Sequence, residues 1–212
     1  MAYAESKDGL AWERPAINSK GTNELLSISD LVPNTCAVVL DYDAPENERY
    51  KMFFREPNAN ASDSKGWSMV SADGINWGKR QKSGYCGDKS TMFYNPFTKK
   101  WVYSIRSVGK LGSTKYGRTR YYHESSDFLA GAAWEPEDVS FWCRADRLDN
   151  VDPQINLPAQ LYNLNAVAYE SVMLGLHQIL VDENEEAMAA GRPKVTDLKV
   201  SFSRDGFHWH RP

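Results

Sequence analysis

The chain has 212 residues, 42% of them hydrophobic and 25% charged, with a net charge of −3 and a pI near 5.8. That length suits one domain with a sizeable core. The charge excludes a global nucleic-acid binder, and no run of 18 apolar residues is present to cross a membrane as a helix.

Met1 to Glu5 has neither a basic n-region nor an apolar h-region, so no signal peptide is visible. If Met1 is the true start, a cytoplasmic location is the default expectation; otherwise the location is open. Cys36, Cys86 and Cys143 are odd in number and lack CxxC spacing. They predict neither a zinc site nor a disulfide framework, and are expected as buried small hydrophobes. Neither a metal nor another cofactor is expected.

Taken in chain order, the dominant feature is a motif repeated at long intervals. It reads Ser6-Lys7-Asp8-Gly9-Leu10-Ala11-Trp12, then Ser71-Ala72-Asp73-Gly74-Ile75-Asn76-Trp77, then a degenerate Ser126-Asp127-Phe128 leading to Trp134, then Ser203-Arg204-Asp205-Gly206-Phe207-His208-Trp209. The tryptophans stand 65, 57 and 75 residues apart, which marks a repeat architecture. Asp bonds nearby backbone and Gly accepts positive φ, so the pair suits a tight turn between strands. The motif resembles the Asp-boxes of sialidases, which are scaffold features, so Asp8, Asp73 and Asp205 are expected to be structural.

Between the copies lie strand-length runs rich in aromatic and β-branched residues. The first interval holds Thr35–Leu40, Arg49–Phe54 and Gly66–Val70. The second holds Ser90–Tyr94, Trp101–Arg106 and Thr119–Glu124, and the third Ala166–Met173, Leu176–Leu180 and Leu198–Phe202. About four strands per interval predict a propeller blade. The expected fold is therefore all-β, of the five-bladed β-propeller type. One domain over residues 1–212 would carry a leading outer strand and three complete four-stranded blades, near 13–78, 79–135 and 136–212. Five such blades need roughly 330 residues. The expectation is thus a fragment, or a partial propeller that closes its open edges as a homo-oligomer.

Other segments are read more simply. Lys110, Lys115, Arg118 and Arg120 form a basic cluster expected in a solvated loop. Asp146, Asp149 and Asp152 lack the Gly and terminal Glu of a calcium loop, so Asx-turns are expected. Glu183 to Lys194 is expected as an acidic solvated excursion. His208 and His210 lack a third ligand, which favours a turn or surface role over a metal site.

Ligands of propellers bind where the innermost strands begin. The polar residues expected there are Asn34, Thr35, Asp88, Asn163, Asn165 and Glu170. A carboxylate pair from successive blades is what glycoside hydrolysis requires: one group protonates the leaving oxygen and another stabilises the oxocarbenium-like transition state or attacks.

The residues around these two acids carry a resemblance. Gly87-Asp88-Lys89-Ser90-Thr91 through Lys100-Trp101-Val102 resembles the Arg-Asp-Pro segment of invertase-like five-bladed glycosidases. Ala168-Tyr169-Glu170-Ser171 through Leu176 resembles their Glu-Cys segment, and Leu161–Leu176 with Ser201–Trp209 is similar to bacterial proteins of this type. The resemblance implies a hydrolase of an oligo- or polysaccharide, with Glu170 as general acid and Asp88 as transition-state stabiliser. Asp88 is followed by Lys-Ser rather than Pro, Ser171 replaces Cys, and the third carboxylate has no counterpart here. Two alternatives stand beside that expectation: a non-catalytic carbohydrate-binding or assembly module, and a glycoside phosphorylase. The expected partner is a carbohydrate, with no nucleic acid and no membrane. Asn34, Arg106, Arg118 and Tyr169 are the substrate-contact candidates. Arg106, Arg118 and Arg120 suit an anion or a uronic acid. Tyr94, Tyr169 and Trp67 could stack on a sugar, with core packing the simpler role.

Overall fold

In a computed structural model, residues 1–25, 35–55, 64–106, 117–149, 151, 157–182 and 189–212 are described. They form three antiparallel sheets. The first joins β1 (Thr35–Leu40), β2 (Tyr50–Arg55), β3 (Lys65–Ser71) and β4 (Gln81–Tyr85) in sequence order. The second joins β5 (Thr91–Asn95), β6 (Lys100–Arg106), β7 (Thr119–Ser125) and β8 (Ser140–Arg144) in the same way. The third contains β9 (Gln160–Tyr169), β10 (Val172–Asp182) and β11 (Val195–Ser203). A short helix α1 (Phe128–Ala132) lies between β7 and β8.

The expected meander of four strands holds for two sheets; the third has three named strands and an isolated bridge, Phe202 to His210, where a fourth would begin. The strands that open the three sheets touch one another, β1 against β5 and β5 against β9. Two cores lie between neighbouring sheets. Phe53 of the first sheet packs with Trp101, Tyr103, Phe128 and Trp134 of the second. Phe93 and Val102 of the second pack with Met173 and Trp209 of the third. Met52, Phe54 and Met69 face the other way and are covered by Met1, Leu25, Trp67 and Trp77. The alternation of β2, with Phe53 on one face and Met52 and Phe54 on the other, explains why the strand is buried on both sides. The outer face of the third sheet exposes Val167, Leu176, Leu198, Val200 and Phe202.

The motif is a scaffold, as expected, and its three full copies share one geometry. Asp8, Asp73 and Asp205 each accept from two backbone N–H groups two and three residues on, at 2.7 to 2.9 Å. Each preceding Ser accepts from the Gly N–H, and Gly9, Gly74 and Gly206 have φ of 76°, 74° and 77°. Asn76 N–H and amide bonds hold the Asp73 carboxyl well below the usual carboxylate range. The second copy lies between β3 and β4, inside its sheet rather than at its end. The degenerate copy occupies the same place in the second sheet. There Ser125, not Ser126, is the counterpart of Ser71, and Asp127 caps α1 by accepting from Ala130 N–H at 2.7 Å.

The expectation for the cysteines holds in part. Cys86 is buried and Cys143 half-buried, but Cys36 is on an exposed position of β1, because Cys36 and Val38 alternate outward. Asp146 makes the expected Asx-turn, accepting from Leu148 N–H at 2.8 Å. His208 bonds its own motif carboxylate, Asp205, at 2.7 Å. Among the described residues no group of His, Cys, Asp or Glu is placed to hold a metal. Lys110, Lys115, Asp152 and the acidic stretch Glu183–Met188 lie outside the described residues.

Candidate functional site

Strands β5 and β9 run the same way, and two side chains show which of their ends meet. Arg120, at the start of β7, donates to the Lys89 carbonyl at 2.8 Å and also to the Tyr162 carbonyl, joining the starts of β5 and β9. Asn95, the last residue of β5, donates to the Asp205 carbonyl at 2.7 Å, just beyond the end of β11. Met173 of β10 pairs with both Ala168 and Ser203, so the end of β11 lies level with the end of β9.

Asp88 belongs to the strand-start end. It precedes β5, is mostly buried, and forms an ion pair with Arg106, the last residue of β6. Gly87 N–H bonds back to the Arg106 carbonyl at 2.9 Å, and a Cβ on Gly87 would lie 3.1 to 3.3 Å from the Arg106 side chain. Thr35, opening β1, accepts from Lys89 N–H at 2.9 Å, and so fixes the loop that carries Asp88.

Glu170 does not join it. The expected single strand Ala166–Met173 is split by a two-residue turn, and Glu170 occupies that turn with φ of 50°, exposed, after β9 has ended. Tyr162 marks the level of Lys89, and eight residues of extended chain separate it from Glu170, on the order of 25 Å. The anticipated carboxylate pair therefore does not converge. The run Ala166–Met173 reads as one strand in sequence and does not reveal where the hairpin folds back, because Tyr-Glu-Ser is a weak turn signal. Tyr169 shares this far end and is 60% exposed. Asn34 lies outside the described residues.

What does gather at the strand-start end is a set of arginines. Arg106 of β6 pairs in register with Arg120 of β7, and Thr119 pairs with Arg144 of β8. Arg118 donates its backbone N–H and Nη1 to Gln160 Oε1, each at 3.0 Å, and its guanidinium lies 5.4 Å from the Tyr162 ring centre. Lys194 approaches the same ring at 5.7 Å. Arg120 is not in a solvated loop: it is fully buried, and burial lowers it to about 9. Beside Arg118, a cleft of about 440 Å³ opens between Gly117, Arg144, Asp146, Asp149, Pro158 and Gln160. Tyr94 and Trp67 are taken up elsewhere, Tyr94 against Trp101 and Trp67 beneath Arg80.

No protein-family model matches the chain, and no curated protein matches it. Solved structures do resemble it. An N-acetylgalactosamine deacetylase from F. plautii, solved with blood group B trisaccharide, superposes with a TM-score of 0.63 at 12% identity, over 98% of this chain and 59% of that one. An endo-1,4-beta-xylanase from Bacteroides thetaiotaomicron gives 0.60 at 10% identity, over 100% of this chain and 62% of that one. The likeness is one of fold. Both neighbours act on carbohydrates, and this chain spans about three fifths of the length of each.

Proposed function

We propose that the three sheets are successive blades of a propeller-type domain, and that the domain recognises carbohydrate at the end where β1, β5 and β9 begin. The contact of those three opening strands supports the blade reading, and the carbohydrate-acting fold neighbours support the ligand class. Arg106, Arg118 and Tyr162 are the side chains we assign to the sugar, with Asp88 holding Arg106 in place.

Recognition is favoured over hydrolysis by one observation: Glu170 stands at the opposite end of β9 from Asp88. Among the described residues the other carboxylates near the strand starts, Asp146 and Asp149, are both engaged by Arg211 at 2.5 and 2.6 Å. A hydrolase would need an acid and a second carboxylate flanking one bond. Asp88 alone serves better as an orienting group. The test combines a glycan-binding panel with an aryl-glycoside hydrolysis panel on the same preparation. Binding without turnover is the expected result. Turnover that is lost in Glu170→Gln would overturn this reading and restore the hydrolase.

A further inference from the structure

We infer that the outer face of the third sheet is the interface between two copies of this chain, packed face to face about a two-fold axis that runs along the strands. The inference is independent of the carbohydrate reading above.

Strand register builds the face. Tyr169 of β9 stands opposite Val172 of β10, and Val167 opposite Leu174. On the other side of β10, Leu174 stands opposite Phe202, Leu176 opposite Val200, and Gln178 opposite Leu198. Directly paired residues project to one side of a sheet, so these side chains form one continuous surface. Leu198 is 67% exposed, Val167 62% and Tyr169 60%. The charged residues of β11 alternate away from it: Asp197 and Lys199 project to the opposite side and pair with each other at 3.3 Å.

The opposite side of this sheet is already packed, with Met173 and Trp209 against Phe93 of the second sheet. The first sheet, at the other end of the row, shows how such a chain treats an outward apolar face. Its Met52, Phe54 and Met69 are covered by Met1, Leu25, Trp67 and Trp77. Among the described residues nothing covers the third sheet in that way. Other exposed large apolar side chains, such as Leu10, Tyr42 and Phe97, sit in turns and bends.

A second copy fits the face better than a sugar or a head-to-tail neighbour. Aliphatic side chains outnumber aromatic ones, and the face has no charge to orient a polar ligand. A head-to-tail contact would need the outer side of the first sheet, which is covered. An isologous contact needs only a surface complementary to itself, and a flat uncharged apolar face meets that condition. Three strands about 4.8 Å apart, over about seven residues of about 3.4 Å each, give roughly 350 Å² in plan. That area supplies the apolar centre of an interface of about 800 Å² per partner, which a polar rim completes.

The rim fixes the orientation. Glu170 follows β9 and Arg204 follows β11, at the same end of the sheet but on its opposite edges, and both are exposed. Rotation about an axis parallel to the strands lays β11 of one copy over β9 of the other. Arg204 then meets Glu170 of the second copy, and the symmetry makes the pair twice. An axis across the strands lays β11 over β11 end for end and makes neither pair. The parallel axis also turns both strand-start ends the same way, so the dimer presents two of them to one multivalent ligand.

Sedimentation equilibrium of the 212-residue chain tests the inference. A monomer–dimer equilibrium with a Kd of about 10 μM or tighter is expected. Leu198→Lys places a charge in the centre of the face and should weaken dimerisation at least about thirtyfold. If Leu198→Lys fails to fold, Val200→Lys gives the same comparison. Glu170→Arg and Arg204→Glu should each weaken the dimer about tenfold, and the two together should restore it. Phe97→Lys, in a turn of the second sheet, should leave it unchanged. A chain that stays monomeric at about 100 μM overturns the inference, as does a trimer or an open-ended series. Indifference of the dimer to Leu198→Lys also overturns it, and so does failure of the double charge swap to restore association. Adsorption of a monomer to insoluble xylan that Leu198→Lys abolishes would assign the face to a glycan instead.

Discussion

Asn95 donates its side-chain amide to the Asp205 carbonyl at 2.7 Å, and through that bond a motif turn of the third sheet is anchored on the second. Asn95 is fully buried, and its Oδ1 accepts from Phe97 and Thr98 N–H, which shapes the β5–β6 turn. The repeat motif thus stabilises its own hairpin and also presents a carbonyl to the neighbouring sheet. Asn95→Ala should cost about 2 kcal/mol, since buried bonds are lost on both sides of the amide. Urea unfolding measures it; a loss under about 0.5 kcal/mol would show that the anchor is dispensable.

Gly84 offers a sharper packing test. A Cβ there would lie 2.1 Å from the Trp134 carbonyl and 2.2 Å from its indole. Trp134 is fixed in turn by donating Nε1–H to the Tyr85 carbonyl at 3.1 Å, within the core between the first two sheets. Gly84→Ala should therefore destabilise the fold by about 3 kcal/mol or more. Gly9→Ala is the contrasting control, because nothing lies within 4 Å of the added carbon and only its φ of 76° is unfavourable. Comparable midpoints for the two variants would refute the packing argument.

His177 should impose a pH dependence. It is buried beside Trp209, its Nδ1 lies 2.9 Å from Ser201 Oγ, and burial lowers its pKa to about 4. The folded value lies below the unfolded one, so the unfolded chain binds the proton more readily. The stabilisation is fully present above pH 6.5 and is lost as pH falls from 6.5 toward 4. The full effect is about 3 kcal/mol. His177→Gln should flatten the wild-type slope of unfolding free energy across that window. An unchanged slope would assign the dependence to other groups.

Glu170 distinguishes a turn residue from a catalytic acid. It is held at φ of 50°, in the left-handed region where a side chain is unfavourable and glycine is not. Glu170→Gly should raise stability by about 0.5 to 1 kcal/mol and leave glycan binding unchanged. Loss of an activity with no gain in stability would reinstate the acid.

Cys86 and Cys143 should be poor nucleophiles in the native state. Burial pushes Cys86 and Cys143 up to about 12. At pH 8 maleimide should label the denatured protein completely, and label Cys86 and Cys143 slowly in the folded one. Rapid native labelling of Cys86 would contradict its placement beneath Ser83.

The residues themselves determined the β-rich character, the meandering strands and the structural role of the Asp-Gly-Trp repeat. Those features are local: a Gly at positive φ, an Asp that accepts from the next N–H groups, and strand-length runs of aromatic and branched side chains. That Asp88 stands shortly before a strand was also legible, since the sequence marks that strand clearly. Only the tertiary structure decided what Asp88 meets. A hairpin hidden within Ala166–Met173 carried Glu170 to the far end of β9. Strand pairing brought Arg106, Arg120 and Arg144, scattered over nearly forty positions of sequence, into one row. Register and chain direction set both outcomes, and these depend on which strands pair rather than on any one segment.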